Sequence, residues 1–260
     1  MAFLTPEQIA QVEEKLATVR PTLNKMMLKL PYLRFQHDRA REFMQQGFLR
    51  RLGTLERCID NVFNLISMVT EIVPERNVLY DAQINIQSFY ANVYGCVDNL
   101  AWVWVYEKGL DGKINRNKVG LRAKHKEIRS KLSPEFQAYL VKLDPWFEYL
   151  VEYRDAVAHR IPLYVPPGGI KPDNVDAYNE LERKIQHALY VSFDGYEYER
   201  LRVEQEKLTV YQPLIAHSFV ETTARYAFHV QMVVDFMTVD EIAEKLLDEL
   251  GINRPPLFSA

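Results

Sequence analysis

Arg154, Asp155 and His159 stand together in the stretch Tyr153-Arg-Asp-Ala-Val-Ala-His159-Arg160, at the end of a helical pattern and just before Ile161-Pro162. An unperturbed histidine titrates near pH ~6.5, so it can take and return protons at working pH. An arginine offers a planar fork of donors to phosphoryl oxygens on which negative charge builds. With no metal signature beside them, such a pair can cleave RNA. His159 would act as base or acid at the 2′-hydroxyl, and Arg154 would stabilise the phosphorane. Asp155 precedes His159 by four positions, one helical turn, and can orient the imidazole.

Spacing also limits the pair. On a continuous helix, five positions leave two side chains about 140° apart. One copy of the motif cannot face one phosphate unless the helix ends or a second subunit contributes. A plainer role exists for each residue. A histidine in a last helical turn caps carbonyls and suits the helix dipole. Arg154 can pair with a carboxylate on a neighbouring helix, and Asp98, in an otherwise apolar helical run, is the candidate. An Arg-x4-His spacing alone arises easily by chance, so its context matters.

The second chemical feature is a basic segment. Eight lysines and arginines fall within the 19 residues from Lys113 to Lys131, with Glu127 the only acid among them. The chain carries a formal net charge of -3, so it is no polycation, and nucleic-acid contact requires a local patch of this kind. Arg116, Lys118, Arg122, Lys124 and Lys126 are the candidate phosphate contacts, joined by Arg160. A solvated loop balanced by the acidic C-terminal helix would look the same.

Other candidates carry less. His217 and His229 are symmetric about residue 223, and a hairpin turning there would oppose them as a metal pair. No HExxH, CxxC or acidic cluster accompanies them, so no metal or other cofactor is expected. Gly168-Gly169 lacks the Lys-Ser/Thr of a phosphate loop. Cys58 and Cys96 sit in apolar helical patterns and read as buried, reduced thiols. Trp102, Trp104 and Trp146 read as core.

These residues have to be placed by helices. Thr5-Pro6-Glu7-Gln8 is a helix start, with a stripe at Ile9, Val12 and Leu16 that is expected to stop near Pro21. Residues 22–46 read as helical pieces interrupted at Pro31. Apolar spacing predicts long helices over Phe48–Val73 and Ile84–Lys108. Ser133-Pro134 and Asp144-Pro145 open two more, the second running to about His159. Beyond it, Pro162–Pro167 reads as extended and Gly168-Gly169 as a turn. Helices are expected over Asn174–Leu189, Tyr198–Leu208 and Thr238–Leu250. Val210–Phe219 and Tyr226–Val234 are rich in β-branched and aromatic residues and predict a hairpin turning at Glu221–Arg225. The N-terminus shows no signal peptide. The most apolar run, Phe89–Tyr106, is broken by Asn92, Asp98 and Asn99, so no membrane span is expected. The expected address is the cytoplasm. With 48% hydrophobic and 26% charged residues, the composition is that of a globular protein.

An arginine, a polar neighbour, three further residues and a histidine, closing a helix of a four-helix-type bundle, resembles the HEPN superfamily. Arg154, Asp155 and His159 match that motif. Residues 48–160 would supply the core helices. Residues 161–260 would form an extension like that of bacterial HEPN proteins of unassigned function. The residue pattern predicts a mainly α fold, an antiparallel helical bundle with additional helices and a small antiparallel hairpin, in one domain over residues 1–260; the resemblance makes its core HEPN-like, and the C-terminal half departs from a minimal HEPN domain. The resemblance also implies a homodimer that brings two motifs to one cleft, and metal-independent endoribonuclease activity. The products would be a 2′,3′-cyclic phosphate and a 5′-hydroxyl. RNA is the implied ligand, and an antitoxin-type protein is an admissible partner. The alternative is a non-catalytic RNA- or nucleotide-binding or interaction module.

Overall fold

The helices follow the apolar stripes, and the departures from expectation have local causes. The computed structural model describes residues 3–166, 168–170, 172–218 and 225–252. Thr5 and Gln8 cap each other: the Gln8 amide donates to Thr5 Oγ1 at 3.2 Å and the Thr5 amide to Gln8 Oε1 at 2.9 Å. The helix they open, α1 (Pro6–Lys29), runs through Pro21 and does not stop there as expected. An interior proline costs roughly 3 kcal/mol. Leu23 and Met26 beyond it are buried, and two such side chains return about 3–6 kcal/mol, so the helix continues.

The short α2 (Asp38–Glu42) passes through a π-helical stretch, Phe43–Phe48, into α3 (Leu49–Leu65). The sequence predicted α3 as far as Val73. It ends early because Ile66 turns extended (φ -133°) and its carbonyl meets buried His229 Nε2 at 2.7 Å. The next helix, α4 (Arg76–Glu107), begins eight positions before its expected start, since Leu79 and Ala82 continue its buried stripe. The two helices lie antiparallel. Arg51 donates to Asn92 at 2.9 Å and to Asn99 at 3.1 Å, and Asn61 donates to Asn85 at 2.9 Å toward the other end. Gly95 makes the Arg51 seat possible, because a Cβ there would come 2.5 Å from the guanidinium carbon.

A loop leads from α4 to α5 (Lys126–Arg129), α6 (Pro134–Lys142) and α7 (Asp144–His159). Ser133 caps α6 through the Phe136 amide at 3.2 Å. Two short antiparallel ladders follow. In one, β1 (Gly169–Ile170) pairs with β2 (Thr209–Val210); in the other, β3 (Leu214–Ile215) pairs with β4 (Tyr226–Ala227). Gly169 is thus in a strand, not a turn. Between β1 and β2 stand α8 (Val175–Tyr190) and α9 (Gly195–Glu206), packed on one another. The last helix is α10 (Phe228–Glu249). It replaces most of the second strand expected over Tyr226–Val234. Phe228, Met232, Val233, Phe236 and Val239 recur at helical spacing and are all buried, and that burial outweighs β-branched composition. Of the expected turn at Glu221–Arg225, residues 221–224 lie outside the described residues, as do Phe219 and Pro167.

Helix accounts for 71% of the structure and strand for 4%, so the β pairs trim a helical body. The long helix α4 is its centre, with α3, α7 and α10 packed on it and α1 laid against α3 and α10. The buried apolar cluster draws on residues from Leu4 to Ile252, while α8 and α9 keep a small one of their own around Ile185, Ala188 and Leu201. Cys58 and Cys96 are buried free thiols. Among the described residues no helix is long and apolar enough to cross a membrane.

A carboxyl group is embedded in this core. Asp235 on α10 has no exposed surface and accepts hydrogen bonds from Trp146 Nε1 (2.8 Å), Tyr149 Oη (2.9 Å) and Gln231 Nε2 (2.8 Å). Tyr149 Oη also meets Tyr90 Oη at 2.5 Å. The network ties α7 to α10 and α4. Desolvation pushes the Asp235 carboxyl up to about 6, against the three hydrogen bonds.

Candidate functional site

The helix α7 carries the arginine–histidine motif on its solvent side. Phe147, Tyr149, Leu150, Tyr153 and Ala156 bury the inner side. The Arg154 side chain keeps 35% of its surface, and its guanidinium lies 4.6 Å from the centre of the Tyr94 ring. Arg154 Nη1 donates to Asp155 Oδ1 at 2.7 Å, and this bond is the main cause of a raised arginine pKa.

Two expected pairings are not formed. Arg154 is bonded to its neighbour and not to Asp98. Asp155 is engaged by Arg154, and no hydrogen bond joins it to His159 among the described residues. Adjacent residues on a helix do not normally face each other, but the long arginine side chain bends back to reach. Asp98 contributes through its field. It is exposed at its edge, yet the protein around its carboxyl pushes the pKa up by desolvation, while Arg122, Arg154 and Arg51 pull it back. Desolvation likewise raises the Tyr94 phenol, helped by Asp98 and opposed by Arg122 and Arg154. Tyr94, missed in the sequence, is the hub on which two guanidiniums rest, since Arg122 also stands over its ring at 5.4 Å.

His159 is exposed and makes no hydrogen bond or ion pair among the described residues. The helix remains continuous through it. Arg154 and His159 of one chain therefore diverge by about 140°, and the helix does not break between them to relieve this.

The basic segment divides. Arg129 turns inward, donating to Asp144 at 3.0 Å and to the Leu121 carbonyl at 2.7 Å, and so clasps the loop to α7. His125 is a second clasp: it is buried, and its Nδ1 meets the Lys118 carbonyl at 3.0 Å. Burial lowers its pKa. Arg116 stands 5.4 Å over the Trp102 ring; Trp102 and Trp146 are half-buried against the core, whereas Trp104 is core as expected. Lys118, Lys124 and Lys126 are exposed.

Three of the six proposed phosphate contacts, Arg122, Lys124 and Arg160, converge on a cleft of about 420 Å³ along the outer side of α7. Arg116, Lys118 and Lys126 do not line it. The α7 side is formed by Asp144, Phe147, Glu148, Val151 and Glu152. Glu152 stands 3.3 Å from His217 Nε2, and His217 is buried against Tyr153. The acidic residues of this wall could have been found in the sequence as a stripe at positions 144, 148 and 152, spaced by a helical turn. The arrival of His217 was not, because the bridge between Tyr164 and Ala216 carries it there from far along the chain.

His217 and His229 do not face each other. The register of β3 and β4 pairs Leu214 with Ala227, off the symmetry they would need, and His229 lies on α10 against Ile66. Burial pushes the His229 pKa down to about 4. Among the described residues no group of three or more His, Cys, Asp or Glu is placed to hold a metal ion. Comparison with known proteins gives no match to a family model, to a curated protein or to a solved structure.

Proposed function

We propose that the protein binds RNA along the basic loop and cleaves it at the C-terminal end of α7, as a homodimer whose two copies of the motif share one cleft. The observation that carries this reading is the contrast between the two side chains. Arg154 is held at the rim by Asp155 and Tyr94, beside further cations, while His159 is exposed and unengaged among the described residues. His159 takes the 2′-hydroxyl proton, and Arg154 neutralises charge on the phosphorane. The products are a 2′,3′-cyclic phosphate and a 5′-hydroxyl, with no metal required. The divergence of the two side chains on one helix is what calls for the second copy.

A second reading has its own support. Arg154 already has a carboxylate partner in Asp155, as a structural arginine would. On that reading the protein binds RNA, or another partner, without cutting.

The test is labelled RNA incubated with the protein in EDTA, with light scattering on the same sample. The expected result is a dimer that cuts to cyclic-phosphate ends, with His159→Ala slower by about 100-fold or more and unchanged in melting temperature. A dimer that binds RNA and leaves it intact establishes the second reading. A monomer that cleaves overturns the shared cleft.

A further inference from the structure

The cleft over α7 is lined by apolar, cationic and acidic side chains. Its apolar lining is Val151, with the buried Phe147 (2% exposed) beneath. Arg122, Lys124 and Arg160 are its cations, and α7 supplies its acids, Asp144, Glu148 and Glu152. Of the acids, Asp144 is taken by Arg129 and Glu152 lies beside His217. Glu148 is exposed and has no hydrogen-bond or ion-pair partner among the described residues. The volume, about 420 Å³, is in the range of small-ligand sites.

An apolar lining receives the face of a planar ring. A carboxylate at the ring's edge accepts two parallel hydrogen bonds from adjacent donors. Among RNA bases, guanine alone presents two adjacent donors on one edge, N1–H and the 2-amino group. Adenine and cytosine offer one amino group beside an acceptor, and uracil offers one N–H between two carbonyls. We propose that this cleft is a guanine-recognising subsite, in which Glu148 accepts from the base and Arg122 and Lys124 hold its phosphate. The proposal rests on the reading of the protein as one that acts on RNA. Glu148 and His159 share the outer side of α7 about 16 Å apart along its axis, so the recognised base lies beyond the bond that is cut.

The experiment is calorimetric titration of the full chain with guanosine, adenosine, cytidine and uridine 5′-monophosphates. Guanosine monophosphate is expected to bind tighter than the others by about tenfold or more, the discrimination a bidentate base contact delivers. Inosine monophosphate, which lacks the 2-amino group, should lose most of that margin. Glu148→Gln should abolish the preference without disturbing the fold, and Lys124→Ala should weaken all four nucleotides alike. Equal binding of the four, no binding, or a preference that survives Glu148→Gln overturns the proposal. His159→Ala is expected to keep the preference. Selective binding by a protein that cuts no RNA upholds the subsite and overturns the nuclease reading. Cleavage accompanied by equal nucleotide binding overturns the subsite alone.

Discussion

Tyr94 shows how single residues set this surface. Its ring carries the guanidiniums of Arg154 and Arg122, and Asp98 sits a helical turn further along α4. Two cations over one ring repel, and the Asp98 and Asp155 carboxylates make the arrangement tolerable. Asp235 is the opposite case, a carboxylate with three donors and no cation. Its pKa is raised from 3.8 to about 6 on folding, so between those values the folded state holds more protons than the unfolded one. Its contribution to stability is therefore full below about pH 4 and falls as pH rises through 6. Asn at this position keeps the size and cannot ionise. The stability of wild type relative to Asp235→Asn, followed by denaturant titration, should drop by up to about 3 kcal/mol between pH 4 and pH 7. A difference that stays flat with pH would mean that Asp235 is already ionised in the folded state at pH 4, and a fall that continues at about 1.4 kcal/mol per pH unit up to pH 7 would mean that it stays neutral throughout.

At the scale of elements, the pair α8 and α9 is a unit set apart. It has its own apolar cluster, and β1 and β2 close its base with Ile170 directly opposite Thr209. Two residues suffice to join strands in that register, and Asn-Gly has the required twist. Replacing residues 171–208 by Asn-Gly should leave a folded body whose melting temperature stays within a few degrees of the parent. Loss of cooperative melting would show that the body needs the helices. Much at this scale was legible: the caps at Thr5 and Ser133, the start of α7 at Asp144, and α8 to within a residue at each end. What was not legible depended on partners distant in sequence. Pro21 is tolerated because α1 buries Leu23 and Met26 beyond it. The end of α3 is set by His229, more than 160 residues away. Phe228–Val234 reads as a strand by composition, and only the packing of α10 against α4 and α3 decides for helix. The site divides in the same way: the motif and the basic run lie in contiguous sequence, while Tyr94 and His217 reach it through tertiary contact.

The whole molecule is mildly acidic, yet the 113–131 segment that crosses α4 and α7 carries eight Lys and Arg against one acid. Arg129 and His125 fasten that loop from beneath, leaving Lys118, Lys124 and Lys126 in solvent. Arg129 and His125 thus hold the loop that brings Arg122 and Lys124 to the cleft. The central position of α4 means that Tyr94, Asp98 and Trp102, one turn apart, line up beneath this loop, with Arg122 above the first and Arg116 above the last.

That arrangement makes the molecule its own optical instrument. Its three indoles have different surroundings: Trp104 is sealed in the core, Trp146 is bonded to Asp235, and Trp102 is half-buried beneath a guanidinium. A phosphate chain that draws Arg116 away changes the local field at one indole and leaves the other two as an internal reference. Emission excited at the indole band should shift on adding RNA, and Trp102→Phe should erase the shift. An unchanged spectrum at saturating RNA would place the bound strand elsewhere on the surface.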